Sequence, residues 1–232
     1  MLKRYLLILT ALLFINQCFA QDTIEVKRKL SGDVTEIFRA LAKDVNIRVG
    51  LFKAVYKKNT IVATGVYEND KKVSLWQFYD PKGTIMQSYD YSTGRLFYEA
   101  PEDTTSHLRY LADKFLKEGD KVTKPIKVGG RYYGYLPYLN LFTLPKEYAY
   151  VNRNSLAARV ELLVSPGGRL ADYKVTVIDG DSGIALRTIN MNIKLPDPAD
   201  LVFIPATLNG EPIACRIIIQ CVVTNAGHLA FE

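Results

Sequence analysis

The sequence is poor in the side chains that most often carry chemistry. Its 232 residues include two histidines, three cysteines and one tryptophan. The histidines, His107 and His228, stand far apart, and no spacing of histidine and cysteine matches a zinc site. No apolar run reaches the roughly 20 residues that a membrane-spanning helix needs. We therefore expect no metal, no cofactor and no stable membrane span in the mature chain.

The charge is mild and evenly spread. Removing Lys3 and Arg4 from the 30 basic residues leaves 28 against 24 acidic residues, a net charge of +4. A surface that binds nucleic acid gathers many more basic residues against the phosphates. The short run Lys27–Lys29 has acidic neighbours and is better explained as a solvated strand face. Nucleic acid is therefore not expected as a partner.

Residues 1–20 have the order of a secretory signal. Lys3 and Arg4 precede an apolar run from Tyr5 to Ile15, and Cys18 and Ala20 place small residues before a cut after position 20. We expect cleavage there, which implies secretion across the inner membrane to the periplasm or the outer membrane. Two alternatives stay open, namely lipidation at Cys18 and retention of the segment as an anchor.

Residues 21–100 contain a repeat with an offset of 24 residues. Leu51-Phe52 falls on Leu75-Trp76, and the turn Asp80–Gly83 combines Pro, which sets φ, with Gly. Each unit reads as strand, turn, strand, which predicts an antiparallel meander. The segment 34–42 has both helical and alternating spacing, and we favour a strand because it leads directly into the meander.

The repeat resembles the MORN-like repeat family. The family pattern is Gly-x-Tyr, a lysine-rich turn, Gly-x-Trp-x-x-Tyr and a turn that ends in Gly, and the residues from Gly65 to Gly83 follow it. Ser74 stands where the family usually has Gly. The resemblance covers about residues 50–98. It implies a β-repeat fold and says little about function.

The sequence changes character after residue 100. Residues 101–122 read as a linker with a short amphipathic helix over His107–Glu118, and residues 123–232 read as a second domain. The run Pro166-Gly167-Gly168 predicts a tight hairpin turn. The other expected helices are Tyr132–Leu144, in part and with Pro137 at its first turn or at a kink, and Ser182–Ile193. The expected strands are Leu156–Val164, Leu170–Ile178 and Ile213–Val223.

This second half resembles the TonB C-terminal domain family, in the form found in Bacteroidetes-type bacteria. The resemblance is carried by Lys127–Gly130 with Leu144-Pro145, by Val160–Val175 and by Phe203–Ile213. The family fold is two helices against a three-stranded antiparallel sheet, so the expected fold class is α+β, a β-meander followed by that domain. In the family the last strand can accept a peptide of an outer-membrane receptor by β-augmentation. A protein partner in the envelope is therefore implied.

The last expected strand is the candidate partner-binding site. If it lies at a sheet edge, its unpaired N–H and C=O groups can pair with another chain; if it is central, its side chains belong to the core. Cys215 and Cys221 are about 20 Å apart on a regular strand, too far for a disulfide, and we expect them to be small buried hydrophobes. The side chains that point one way along this strand are Ile213, Cys215, Ile217, Ile219 and Cys221.

These patterns indicate an exported, non-catalytic binding protein, with a link to TonB-dependent transport as one form of that function. One alternative is a TonB-type energy transducer that keeps its N-terminal anchor, although the chain lacks a long Pro-rich spanning segment. The other is a hydrolase that uses Ser182 of the Gly180–Gly183 motif. That mechanism needs a histidine base and a buried carboxylate in the same site.

Overall fold

The computed structural model describes residues 22–102, 106–148 and 150–232, and over these residues the protein is built mainly from antiparallel strands. The expected signal segment, residues 1–20, lies outside the described residues. Within the described part of the chain, no helix is long and apolar enough to cross a membrane.

The first seven strands form a single antiparallel meander in which each strand pairs with the next. The segment that could have been helix or strand, 34–42, is a strand, as predicted. The meander consists of β1 (Thr23–Lys29), β2 (Val34–Leu41), β3 (Asp44–Tyr56), β4 (Thr60–Glu68), β5 (Lys71–Tyr79), β6 (Ile85–Asp90) and β7 (Arg95–Glu99).

Trp76 on β5 is the centre of the meander's inner face, where it is fully buried. Its indole lies directly on the backbone of Gly65 in β4, so close that a Cβ added there would lie 2.1 Å from the ring. The indole Nε1 donates to the carbonyls of Val66 and Val73, each at 3.2 Å. The glycine of the repeat therefore makes room for the tryptophan of the next strand.

The residue that departs from the repeat pattern, Ser74, has a backbone conformation suited to glycine. Its φ is +57°, in the left-handed region that L-residues adopt at a cost. The position is held by backbone bonds, since its N–H donates to the Ser92 hydroxyl at 2.8 Å and its carbonyl accepts from the N–H of Tyr91 at 3.0 Å. The chain geometry at this position is therefore one that glycine would adopt without strain.

The second half is also a sheet, and the α+β prediction is wrong. Its six strands are β8 (Leu108–Ala112), β10 (Leu156–Val164), β11 (Leu170–Asp179), β12 (Ala185–Asn190), β16 (Cys215–Val223) and β17 (Leu229–Phe231). They run in the order β12-β11-β10-β16-β17, with β8 paired to β16 as well.

Four shorter strands lie outside this sheet. They are β9 (Ile126–Lys127), β13 (Phe203–Ile204), β14 (Ala206–Leu208) and β15 (Glu211–Ile213).

One α-helix is present among the described residues, α1 (Leu136–Leu141), where the partly helical segment was expected. Pro137 lies in its first turn, a position where the missing N–H costs nothing. The 3-10 helix Tyr133–Tyr135 leads into it. Three further 3-10 turns are Lys146–Tyr148, Arg153–Ser155 and Pro198–Leu201.

Two segments expected as helices are strands instead. In the expected linker helix, Leu108–Ala112 pairs with Cys215–Ile219 of β16. In the expected helix Ser182–Ile193, β12 pairs with β11, and Ile189 and Met191 pack against the core. Both segments are short and amphipathic, and the same apolar residues suit either period. Strand pairing decided the outcome, with the distant β16 for β8 and with the preceding strand β11 for β12, so there are not two helices packed against a three-stranded sheet.

The two sheets are joined through the buried side chain of Gln87 on β6. Its Oε1 accepts from the N–H groups of Gly129 and Gly130 at 2.8 and 3.1 Å, and its Nε2 donates to the Glu99 carboxylate at 2.7 Å and the Lys127 carbonyl at 3.1 Å. Both glycines have positive φ, +125° and +71°. The turn at Gly129-Gly130, held by Gln87, fixes the second half of the chain on the inner face of the meander.

The contact between Gly65 and Trp76 yields the first prediction. A methyl group at Gly65→Ala must displace the buried indole, so we expect a loss of about 1–3 kcal/mol in the free energy of unfolding. Gly32→Ala is the matched control because its added Cβ meets nothing within 4 Å. We expect that control to stay within about 0.5 kcal/mol of wild type in urea unfolding. Equal stability of the two variants would show that the indole does not depend on the glycine.

Candidate functional site

The residues predicted to bind a partner lie inside the molecule. Strand β16 pairs with β10 on one side, and with β8 and β17 on the other. The backbone of this strand therefore has no open side, and the alternative in which the strand is central is the one observed. Each predicted side chain is at most 4% exposed: Ile213 at the end of β15, and Cys215, Ile217, Ile219 and Cys221 on β16.

Cys215 and Cys221, the cysteines within the described ranges, are buried and form no disulfide there. Burial raises the pKa of the Cys215 thiol to about 11 and that of the Cys221 thiol to about 12. Since the thiolate is the nucleophilic form, both side chains stay neutral and unreactive near pH 7. They serve as small core residues, as the sequence predicts.

Strand β12 forms an open edge of the second sheet. It pairs with β11 on one side, and no other described strand pairs with it. The N–H of Met191 donates to the Tyr173 carbonyl at 2.8 Å, so these two residues are a hydrogen-bonded pair. Because such pairs alternate along an antiparallel ladder, the N–H and C=O groups of Thr188 and Asn190 point away from β11. These groups are available to another chain.

The edge at β12 is less protected than the edges at β1, β7 and β8. Four of the seven residues of β1 and two of the five of β7 are charged, while on β8 the Arg109 guanidinium donates to the Leu108 carbonyl at 2.8 Å. β12 has a single charged residue, Arg187, which is paired with Glu147. Charge, bulges and cover are what keep edges from pairing. β12 has a bulge only at its start, opposite Val177, so it is better suited to accept a strand than β1, β7 or β8, while the remaining outer strand, β17, has only three residues.

A groove of about 750 Å³ is lined by both halves of the chain. Both histidines line it. His228 Nδ1 lies 2.8 Å from the carbonyl oxygen of Phe142, and the His107 ring is 6.5 Å from the ring of Phe231. Ser182 is not among the lining residues, and its hydroxyl donates to Asp179 at 2.7 Å. In the described part of the chain, neither imidazole ring is hydrogen-bonded to a carboxylate, a hydroxyl or a thiol.

A buried amine lies near the junction of the two halves. The side chain of Lys127 is 2% exposed, its Nζ donates to the Ala199 carbonyl at 2.9 Å, and it lies 3.5 Å from the Asp200 carboxylate. Burial lowers the pKa of Lys127 to about 8, against the opposing charge of Asp200. Its ammonium also lies 5.2 Å from the centre of the Phe203 ring. The hydrogen bonds and ring contacts indicate a structural role that ties β9 to the loop before β13.

A metal site is not apparent in the described ranges, where no group of three or more His, Cys, Asp or Glu side chains is placed to hold an ion. Comparisons with protein-family models, with curated proteins and with solved structures found no match. The open edge and the groove are therefore assessed from the geometry alone. Sequence reasoning missed both, because β12 was expected to be a helix and the groove depends on how the halves meet.

The buried amine predicts a pH dependence of stability. Between pH 8 and 10.5 the unfolded chain holds a proton on Lys127 that the folded chain has released, so this residue favours the folded state increasingly as the pH rises. From pH 7 to pH 9.5, we expect the unfolding free energy of wild type to rise by about 1–2 kcal/mol relative to that of Lys127→Met. The exposed Lys114→Met is the control, and its difference should stay constant. A flat difference for Lys127→Met would contradict the burial of a charged amine.

Proposed function

We propose that this chain is an exported envelope protein, without catalytic activity, that binds a protein partner by adding an extended segment of the partner to the edge of β12. The open backbone of that strand is the observation that carries the proposal. The leader pattern of residues 1–20 supports export.

The chemistry of the edge suits an extended peptide. The outward N–H and C=O groups of Thr188 and Asn190 supply the main-chain hydrogen bonds of β-augmentation, which need no particular side chain in the partner. Leu186, 42% exposed, and Ile184, 64% exposed, offer apolar contacts beside them. Backbone bonds thus supply affinity, while these two side chains favour an apolar residue in the partner segment.

The edge is also held in place for this task. Thr188 Oγ1 lies 3.0 Å from Thr176 Oγ1 on the neighbouring strand, and Ile189 packs against the core of the sheet. Arg187 is held by its ion pair with Glu147. An edge that is ordered before binding loses less conformational entropy when a partner adds to it.

The test removes one outward N–H from the edge. Thr188→Pro deletes the donor that faces the partner and leaves the bonds between β12 and β11 in place, because those are made by the alternate residues. We expect the mature protein to lose at least about tenfold in affinity for proteins captured from an envelope extract. The affinity of each captured protein is measured after purification, and circular dichroism verifies the fold of the variant.

Thr188→Val is the matched control. It keeps the backbone N–H and the β-branched shape, and it removes only the hydroxyl that contacts Thr176. We expect it to capture the same proteins as wild type. If folded Thr188→Pro binds as tightly as Thr188→Val, then addition to this edge is not how the partner is recognised.

Export predicts a specific N-terminus, which can be measured directly. We expect the protein recovered from the envelope to begin at Gln21, because the small residues Cys18 and Ala20 set the cut after position 20. Mass spectrometry of the intact chain measures this. A chain that still begins at Met1 would support the anchored-transducer alternative, and a lipid mass on Cys18 would support outer-membrane anchoring.

A further inference from the structure

We propose that the groove between the two halves is a binding site for a small organic cation, an ammonium or guanidinium group on an apolar body. This site uses none of the residues of β12 and is independent of the partner-binding edge. Its volume of about 750 Å³ is within the range of sites that hold small ligands.

One wall of the groove is a row of aromatic rings. Tyr56 and Tyr132 meet edge to face with ring centres 5.9 Å apart, and Tyr132 and Phe231 follow at 5.5 Å. All three rings are partly exposed and line the groove. Aromatic faces attract cations through their quadrupole, and the apolar ring surface suits the body of such a ligand.

The groove also has an excess of negative charge. Its lining includes three carboxylates, those of Asp33, Asp80 and Glu232, and two basic groups, Lys82 and Arg131. Arg131 is already engaged, because its guanidinium lies 3.5 Å from Glu99 and donates to the Ala100 carbonyl at 2.7 Å. Lys82 alone opposes the three carboxylates, in a chain whose overall charge is +6. The local field therefore favours a cation.

Two of these carboxylates make no ion pair within 4 Å of a described basic group. Asp33 and Glu232 are exposed and form no ion pair there. Asp33 lies near the aromatic row, since its charge, after burial and Tyr56, contributes to raising the pKa of Tyr132. A carboxylate beside aromatic faces is the combination that recognises an organic cation.

The protein's own Lys57 places an ammonium group beside Tyr56 and Asp33. Lys57 Nζ lies 5.0 Å from the centre of the Tyr56 ring. Its pKa is raised, first by the hydrogen bond to Tyr56 and then by the charges of Tyr56 and Asp33. Lys57 does not itself line the groove. A ligand cation would meet the same ring and carboxylate from the groove side, in competition with this lysine.

The experiment uses three probes with the same body and different charge, 3-phenylpropylamine, 3-phenylpropanol and 3-phenylpropanoate. Binding to the mature protein is measured by calorimetry and by saturation-transfer NMR at pH 7.5. We expect the amine to bind at least about tenfold more tightly than the alcohol, and the carboxylate to bind most weakly. Equal binding of the amine and the alcohol overturns the proposal. So does the absence of amine binding at about 10 mM, where a ligand with a Kd of about 1 mM would be mostly bound.

Variants locate the site. We expect Asp33→Asn and Glu232→Gln each to weaken binding of the amine about three- to tenfold, and Tyr132→Leu to remove its advantage over the alcohol. Lys57→Met removes the competing ammonium and should strengthen binding. Asp181→Asn, an exposed acid in the turn before β12, is the control and should bind as wild type. Unfolding midpoints verify each fold, and unchanged affinity in both carboxylate variants would overturn the assignment.

Discussion

The buried amide of Gln87 holds the two halves of the molecule together. An amide in the core is stable only if its donors and acceptor are satisfied, and here the two N–H groups of the Gly129-Gly130 turn, one carboxylate and one carbonyl satisfy it. Leaving those buried N–H groups without an acceptor would cost about 1–3 kcal/mol each. The turn therefore has one position on the meander, and the chain that follows it is placed accordingly.

That placement covers the inner face of the meander. The Tyr133 hydroxyl donates to Oε1 of the buried Glu36 carboxylate at 2.8 Å, and the Arg28 guanidinium donates to its Oε2 at 2.7 Å. Tyr132, one residue earlier, reaches Tyr56 at the end of β3 and forms part of the wall of the groove with it. The groove is thus a consequence of how the glycine turn docks. Its acidic groups come from both halves: Asp33 and Asp80 lie in turns of the meander, and Glu232 follows β17.

Much of the fold could be predicted from local pattern. The repeat, the turn at Asp80–Gly83 and the hairpin of β10 and β11 follow from alternation and turn residues, and all are present. The segments that became β8 and β12 were mistaken for helices, because five or six amphipathic residues fit both periods. The partners of β8 lie about 100 residues away in β16, and no local rule reaches that far. β12, by contrast, pairs with the preceding strand β11, so its assignment failed on the ambiguous period alone. Together the two errors made the α+β fold class wrong.

The sequence by itself determined which side chains share a face. Ile217, Ile219 and the cysteines of β16 point one way because strand side chains alternate, and all are buried. Only the tertiary structure decided that this strand is central and that β12 is an edge. Alternation is a property of one strand, whereas being an edge depends on which other strands have paired with it, and pairing is settled by the packing of the whole chain.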